Sequence, residues 1–118
     1  MSATDKSRRR GVLAGGGFAH FMHDGFTDCL FVLLPLWATG FGLSHAQVGF
    51  LKMCMSGSLA ASQVPAGFLA ERFGERVVLA TGTVLAGCGF LLLALADGFT
   101  SLAVILLITG TGCAVQHP

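Results

Sequence analysis

VVLATGTVLAGCGFLLLALA, residues 77–96, runs for 20 residues without one charged side chain. A helix that crosses the hydrocarbon core of a bilayer needs about 20 apolar residues. Inside that core every backbone N–H and C=O must be satisfied within the protein, which leaves helices and closed barrels as the spanning structures. The stretch is too long for a strand and reads as a membrane-spanning helix, so the fold turns on whether its neighbours match it.

They do, working outward. Phe99 to the chain end is a second such run, and Ala46 to Leu69 a third, carrying Lys52, several serines and Pro65. Val12 to Trp37 is also long enough, although His20, His23, Asp24 and Asp28 interrupt it. The 118 residues are 53% hydrophobic and 11% charged, against about 25% charged in a soluble domain. The charges are clumped: Lys6, Arg8, Arg9 and Arg10 at one end, Glu71, Arg72, Glu75 and Arg76 in the middle. The chain is therefore expected to be an all-α membrane protein. A basic segment over 1–11 precedes about four transmembrane helices near 12–38, 46–69, 77–96 and 99–118.

Lysine and arginine concentrate on the cytoplasmic side of membrane proteins. KSRRR and ERFGER hold nearly all of them here, whereas FGLSH and ADGFT hold none. That sorting predicts a multi-pass protein of the cell inner (plasma) membrane with its N-terminus in the cytoplasm. A twin-arginine export signal is the rival reading of SRRRGVL, but its short apolar core would not contain histidines and aspartates. The net charge of +1 lacks the broad basic surface that nucleic acid demands. Cys29, Cys54, Cys88 and Cys113 fall one per apolar run, without the clustered spacing of a zinc or disulfide framework. No phosphate loop or nucleophile constellation is visible, so neither enzyme chemistry nor a cofactor is expected.

The interruptions in the first span point to function. On a helix His20, Asp24 and Asp28 stand at i, i+4 and i+8 and stack on one face. An ionisable group facing lipid costs roughly 2.5–3.5 kcal/mol by insertion scales, so the stripe should face other helices or a wet cavity. Asp24, deep in its span with His20 one turn away, is a candidate proton-carrying pair; the bland alternative is a packing hydrogen bond. Asp28 and Lys52 lie about 15 and 9 Å below the outer ends of their helices at 1.5 Å per residue, within reach of an ion pair. A metal would want more than His20, His23, Asp24 and Asp28 supply, since His23 points about 60° away from His20 and nothing else completes the set. Gln63 and Pro65 could line a cavity or bend the second span.

GFLAERFGER, Gly67 to Arg76, resembles the signature loop of the major facilitator superfamily, G-x-x-x-D-R/K-x-G-R/K-R/K, between the second and third helices. Gly67, Arg72, Gly74 and Arg76 match; Glu71 stands for the usual aspartate and Glu75 for a usual basic residue. Three further features are similar to the fosmidomycin-resistance branch: H-x-x-x-D at His20 and Asp24, QVPAG at Gln63 to Gly67, and GTGCAVQHP at Gly110 to Pro118. The resemblance implies a proton-driven exporter of small molecules or drugs, an antiporter. Asp24 and His20 would couple to protons, His117, Gln63 and Asp28 would line the cavity, and Glu71, Arg72 and Arg76 would gate it. Its partners would be lipid, protons and a small-molecule substrate. The family has two six-helix halves, each repeating three helices inverted against three, so four spans amount to the first part of one half. A partial or truncated chain is expected, completed by the remaining transporter helices or by a second copy. The rival readings are a four-helix dimeric transporter of the small-multidrug-resistance kind, with Asp24 as its acid, and a non-transporting membrane fragment.

Overall fold

The computed structural model describes residues 3–116, which are helical nearly throughout and contain no strand. Four α-helices follow one another: α1 (Ala3–Gly40), α2 (His45–Phe73), α3 (Glu75–Leu92) and α4 (Phe99–Cys113). Single 3₁₀ turns, Leu93–Leu95 and Ala114–Gln116, extend α3 and α4. The chain divides into two compact units, one ending at Leu36 and the other beginning at Trp37.

Each helix boundary has a local cause. α1 starts well before the apolar run at Val12, because the intervening lysine and arginines are good helix formers and Asp5 in the first turn complements the helix dipole. α2 opens on a capping box. The Ser44 hydroxyl accepts from the Gln47 amide at 3.3 Å, and the Gln47 carboxamide accepts from the Ser44 amide at 2.9 Å. Ser44→Ala is expected to cost about 1 kcal/mol, read as a lower thermal midpoint of helicity. An unchanged midpoint would show that the cap contributes nothing. The α2–α3 connection shrinks from the expected six-residue loop to Gly74 alone, with φ +89°. At the other end, the Ser101 hydroxyl accepts from the amides of Asp97 and Gly98, both at 3.1 Å, and closes the turn into α4.

α4 is the centre of the second unit and packs on both α2 and α3. Phe50 and Phe99 approach with ring centroids 5.8 Å apart, and Ser62 donates to Thr111 at 3.4 Å. These contacts run in the same direction along both helices, so α2 and α4 are parallel. Gly89 meets Thr109 while Gly82 meets Val115, so α3 runs antiparallel to α4. Successive helices of this unit therefore alternate in direction. Gly82, Ala86 and Gly89 are buried at i, i+4 and i+7 on α3, a small-residue face that lets backbones approach.

α4 uses Gly110 and Gly112 on two different sides. Two residues on a helix are about 200° apart, so the pair point in nearly opposite directions. A Cβ on Gly110 would strike Ser58 and the Met55 carbonyl of α2. One on Gly112 would lie 2.5 Å from the Ala86 nitrogen and 2.9 Å from the Gly82 carbonyl of α3. The hydroxyls in these helices bond back to their own turns, as Thr83 does to the Leu79 carbonyl and Thr109 to that of Ile105, both at 2.7 Å. Such bonds satisfy a hydroxyl where water is absent.

Two segments, Glu75–Leu95 and Phe99–Gln116, are long and apolar enough to cross a membrane. α1 and α2 are long but diluted, α1 by its histidines and aspartates and α2 by Lys52 and its serines and glutamines. Only 22% of the apolar window in Glu75–Leu95 is buried, whereas the core helix of a soluble protein would be covered. Val84, Leu91 and Leu95 are among its exposed side chains. Surface of that kind is stable in hydrocarbon or beneath further helices, not in water.

Candidate functional site

Two groups of residues carry the chemistry. On α1, His20 and Asp24 meet one turn apart, with Nε2 3.3 Å from Oδ2 and both side chains about half exposed (49% and 48%). The i, i+4 spacing thus becomes a contact. Asp28 follows one turn later and is exposed. Thr27 donates to the His23 carbonyl at 3.0 Å. The pair joins an imidazole to a carboxylate within hydrogen-bond range of it.

The second group surrounds the α2–α3 turn. Gly67, Ala70 and Glu71 form an i, i+3, i+4 face of α2, and Glu75, Val78 and Leu79 repeat that spacing on α3. Together with Ala66, Val115 and Gln116 they line a cavity of about 570 Å³. The turn therefore sorts its charges. Both carboxylates, Glu71 and Glu75, border the cavity, and neither arginine does. Arg72 lies over the Phe73 ring, 5.5 Å from its centroid. Among the described residues no ion pair links Glu71, Arg72, Glu75 and Arg76, all of which are exposed. A second, mainly apolar cavity of about 340 Å³ includes Ser62, Pro65, Phe73, Thr81 and Thr111 in its wall.

Gly74 is the pivot of this region. Its φ of +89° with ψ 141° lies where side chains are strained, at a cost of order 1–3 kcal/mol. Gly74→Ala is expected to destabilise the fold by about that energy, read as a lower melting temperature. Gly67→Ala, which meets nothing within 4 Å, should leave it unchanged or raise it slightly. Equal effects at the two positions would refute the backbone argument.

Of the other predicted residues, Gln63 is half-buried on α2 and Lys52 is exposed near its start; neither borders these two cavities. His117 lies outside the described residues. Its neighbour Gln116 does not stand out in the sequence, yet its Nε2 donates to Thr83 on α3 at 2.9 Å. Ser62 and Thr111 are likewise not recognisable as a pair; contacts 33 and 49 residues apart leave no periodic signal. Among the described residues no three His, Cys, Asp or Glu side chains group as metal ligands would.

The all-helical build and the two long apolar helices fit a membrane-embedded protein, and comparison supplies the family. The Major Facilitator Superfamily model matches residues 16–118, and the chain belongs to that family. Its sequence is 25% identical over 118 residues to the fosmidomycin resistance protein of Escherichia coli strain K12. That match takes in 99% of this chain and 29% of the other protein's length. No solved structure matches.

Proposed function

We propose that the chain contributes the first four helices, the opening part of a six-helix half, to a proton-coupled secondary transporter that exports small molecules or drugs. The observation that carries this reading is the contact between His20 and Asp24 inside a chain of the major facilitator family. An intramembrane carboxylate is costly and marks an ion or substrate pathway, and a histidine beside it offers a second proton site. The fosmidomycin resistance protein as a relative favours efflux over uptake. In this reading α1–α4 cross the inner membrane in turn, with the N-terminus in the cytoplasm, and work together with the remaining transporter helices or with a second copy of the chain. Asp28, Lys52, Gln63 and His117 belong in this reading to the transport pathway; Lys52 and Gln63 border neither of the two cavities at the α2–α3 turn. Gly67, Glu71, Arg72, Gly74 and Arg76 form the cytoplasmic gate.

The test is drug efflux from cells expressing the protein, and drug accumulation in inverted membrane vesicles with an imposed proton gradient. Gradient-dependent accumulation supports the reading. Accumulation equal to that of empty vesicles refutes it and leaves a non-transporting membrane component. The dimeric four-helix reading loses its ground once the chain belongs to another family.

A further inference from the structure

The first turns of α1 hold four cations whose only part in the reading above is to set topology. Lys6, Arg8, Arg9 and Arg10 are all exposed, and among the described residues none of them forms an ion pair. They are part of one continuous helix. At 1.5 Å per residue the 38 residues of α1 extend about 57 Å, against a hydrocarbon core of about 30 Å. The surplus carries the cations past the apolar run that starts at Val12 and Leu13, themselves exposed, to headgroup depth.

Their arrangement decides what they would meet. Consecutive helical residues are 100° apart, so Arg8, Arg9 and Arg10 fan out in three directions, with Lys6 near the bearing of Arg10. A protein partner or a single free anion would be served by charges gathered on one face. A ring of charge suits a helix surrounded by a leaflet of headgroups. At the helix end the positive pole of the dipole disfavours Lys6 within the first turn, where Asp5 offsets it, and Arg8, Arg9 and Arg10 repel one another in the next turn. Surrounding anions would relieve that repulsion and hold these turns helical.

We propose that the first turns of α1 form a collar that binds the headgroups of anionic phospholipids in the leaflet where the helix emerges. The proposal rests on the membrane-spanning reading above. Each cation near an anionic membrane surface contributes roughly a fivefold preference, so the collar gathers acidic lipid around α1 and steadies its first turns.

The test places the protein in nanodiscs of phosphatidylcholine alone or mixed with phosphatidylglycerol. Retained lipid is measured by native mass spectrometry, and amide hydrogen exchange is followed over residues 5–12. The expected result is several-fold enrichment of phosphatidylglycerol and slower exchange than in phosphatidylcholine alone. Arg8→Gln with Arg9→Gln and Arg10→Gln should abolish both effects, whereas lysine at the same three positions should keep them. If the triple glutamine variant fails to insert, single Arg→Gln variants should show graded losses. Enrichment independent of these residues overturns the proposal. So does equal protection by inorganic phosphate in phosphatidylcholine discs, which would mark a free-anion site. Failure of the unaltered protein to enter either disc refutes the membrane reading itself, a result distinct from insertion without lipid preference.

Discussion

Asp24→Asn is expected to collapse proton-driven transport while leaving the protein inserted in the membrane. Asparagine keeps the size of aspartate and can still hydrogen-bond His20, which lies 3.3 Å away in the native chain. It cannot take up and release a proton. Coupling between two ligands of one protein is typically worth about 5- to 150-fold, and a transporter that loses its proton site loses that factor. Substrate accumulation in inverted vesicles at an imposed gradient should therefore fall by roughly one to two orders of magnitude, towards its value at zero gradient. Exchange of labelled for unlabelled substrate, which needs no net proton movement, should survive.

Two companion variants separate proton coupling from packing. Asp24→Glu keeps a titratable group and should retain part of the gradient response. His20→Gln preserves a hydrogen-bonding partner for Asp24 but removes the imidazole, and should weaken the response less than Asp24→Asn does. If Asp24→Asn accumulates substrate as the native protein does, the pair is only a helix-fixing hydrogen bond. If it abolishes exchange as well, Asp24 binds substrate rather than coupling it to protons.

Features set by short-range spacing are legible in the amino-acid sequence. The i, i+4 relation of His20 and Asp24 is local and the fold keeps it; the break between α2 and α3 is local too, although the expected ERFGER loop narrows to Gly74 alone. The capping box at Ser44 and Gln47 is equally local, but its serine-to-glutamine spacing is a signal that hydropathy passes over. The extent of α1 exceeds its expected span for a different reason. Hydropathy marks where a helix becomes apolar, not where its hydrogen bonding begins, and the basic residues before Val12 are good helix formers. What no periodicity reveals is the pairing of separate helices. Gln116 with Thr83 and Ser62 with Thr111 depend on how α4 settles between its neighbours. The sorting of Glu71 and Glu75 towards the cavity, away from the arginines, likewise needs the angle that Gly74 imposes.

The glycines of α4 show a sequence motif turning into a packing requirement, and they carry the largest expected effect on stability. An exposed helical glycine replaced by alanine gains up to about 1 kcal/mol of helix propensity. Gly87 on α3 is such a position, with nothing within 4 Å of an added Cβ, so Gly87→Ala should hold or raise the melting temperature. Gly112→Ala gains the same propensity but sets its Cβ against backbone atoms of Gly82 and Ala86, which no rotamer change can move. Overpacking of that kind costs about 1–3 kcal/mol, occasionally more, and outweighs the gain. Gly112→Leu adds three more carbons in the same place and is expected to separate α3 from α4, with a loss above roughly 3 kcal/mol. Gly110→Leu should do the same to the α2 contact, since its Cβ would strike Ser58 and the Met55 carbonyl. Thermal unfolding in detergent, followed by circular dichroism and by size-exclusion profile, distinguishes the outcomes. Midpoints that fall for Gly110 and Gly112 but not for Gly87 place the tight seams on opposite sides of α4. Equal tolerance at all three would mean that α2 and α3 do not approach α4 closely, and the central position of α4 would then be untenable.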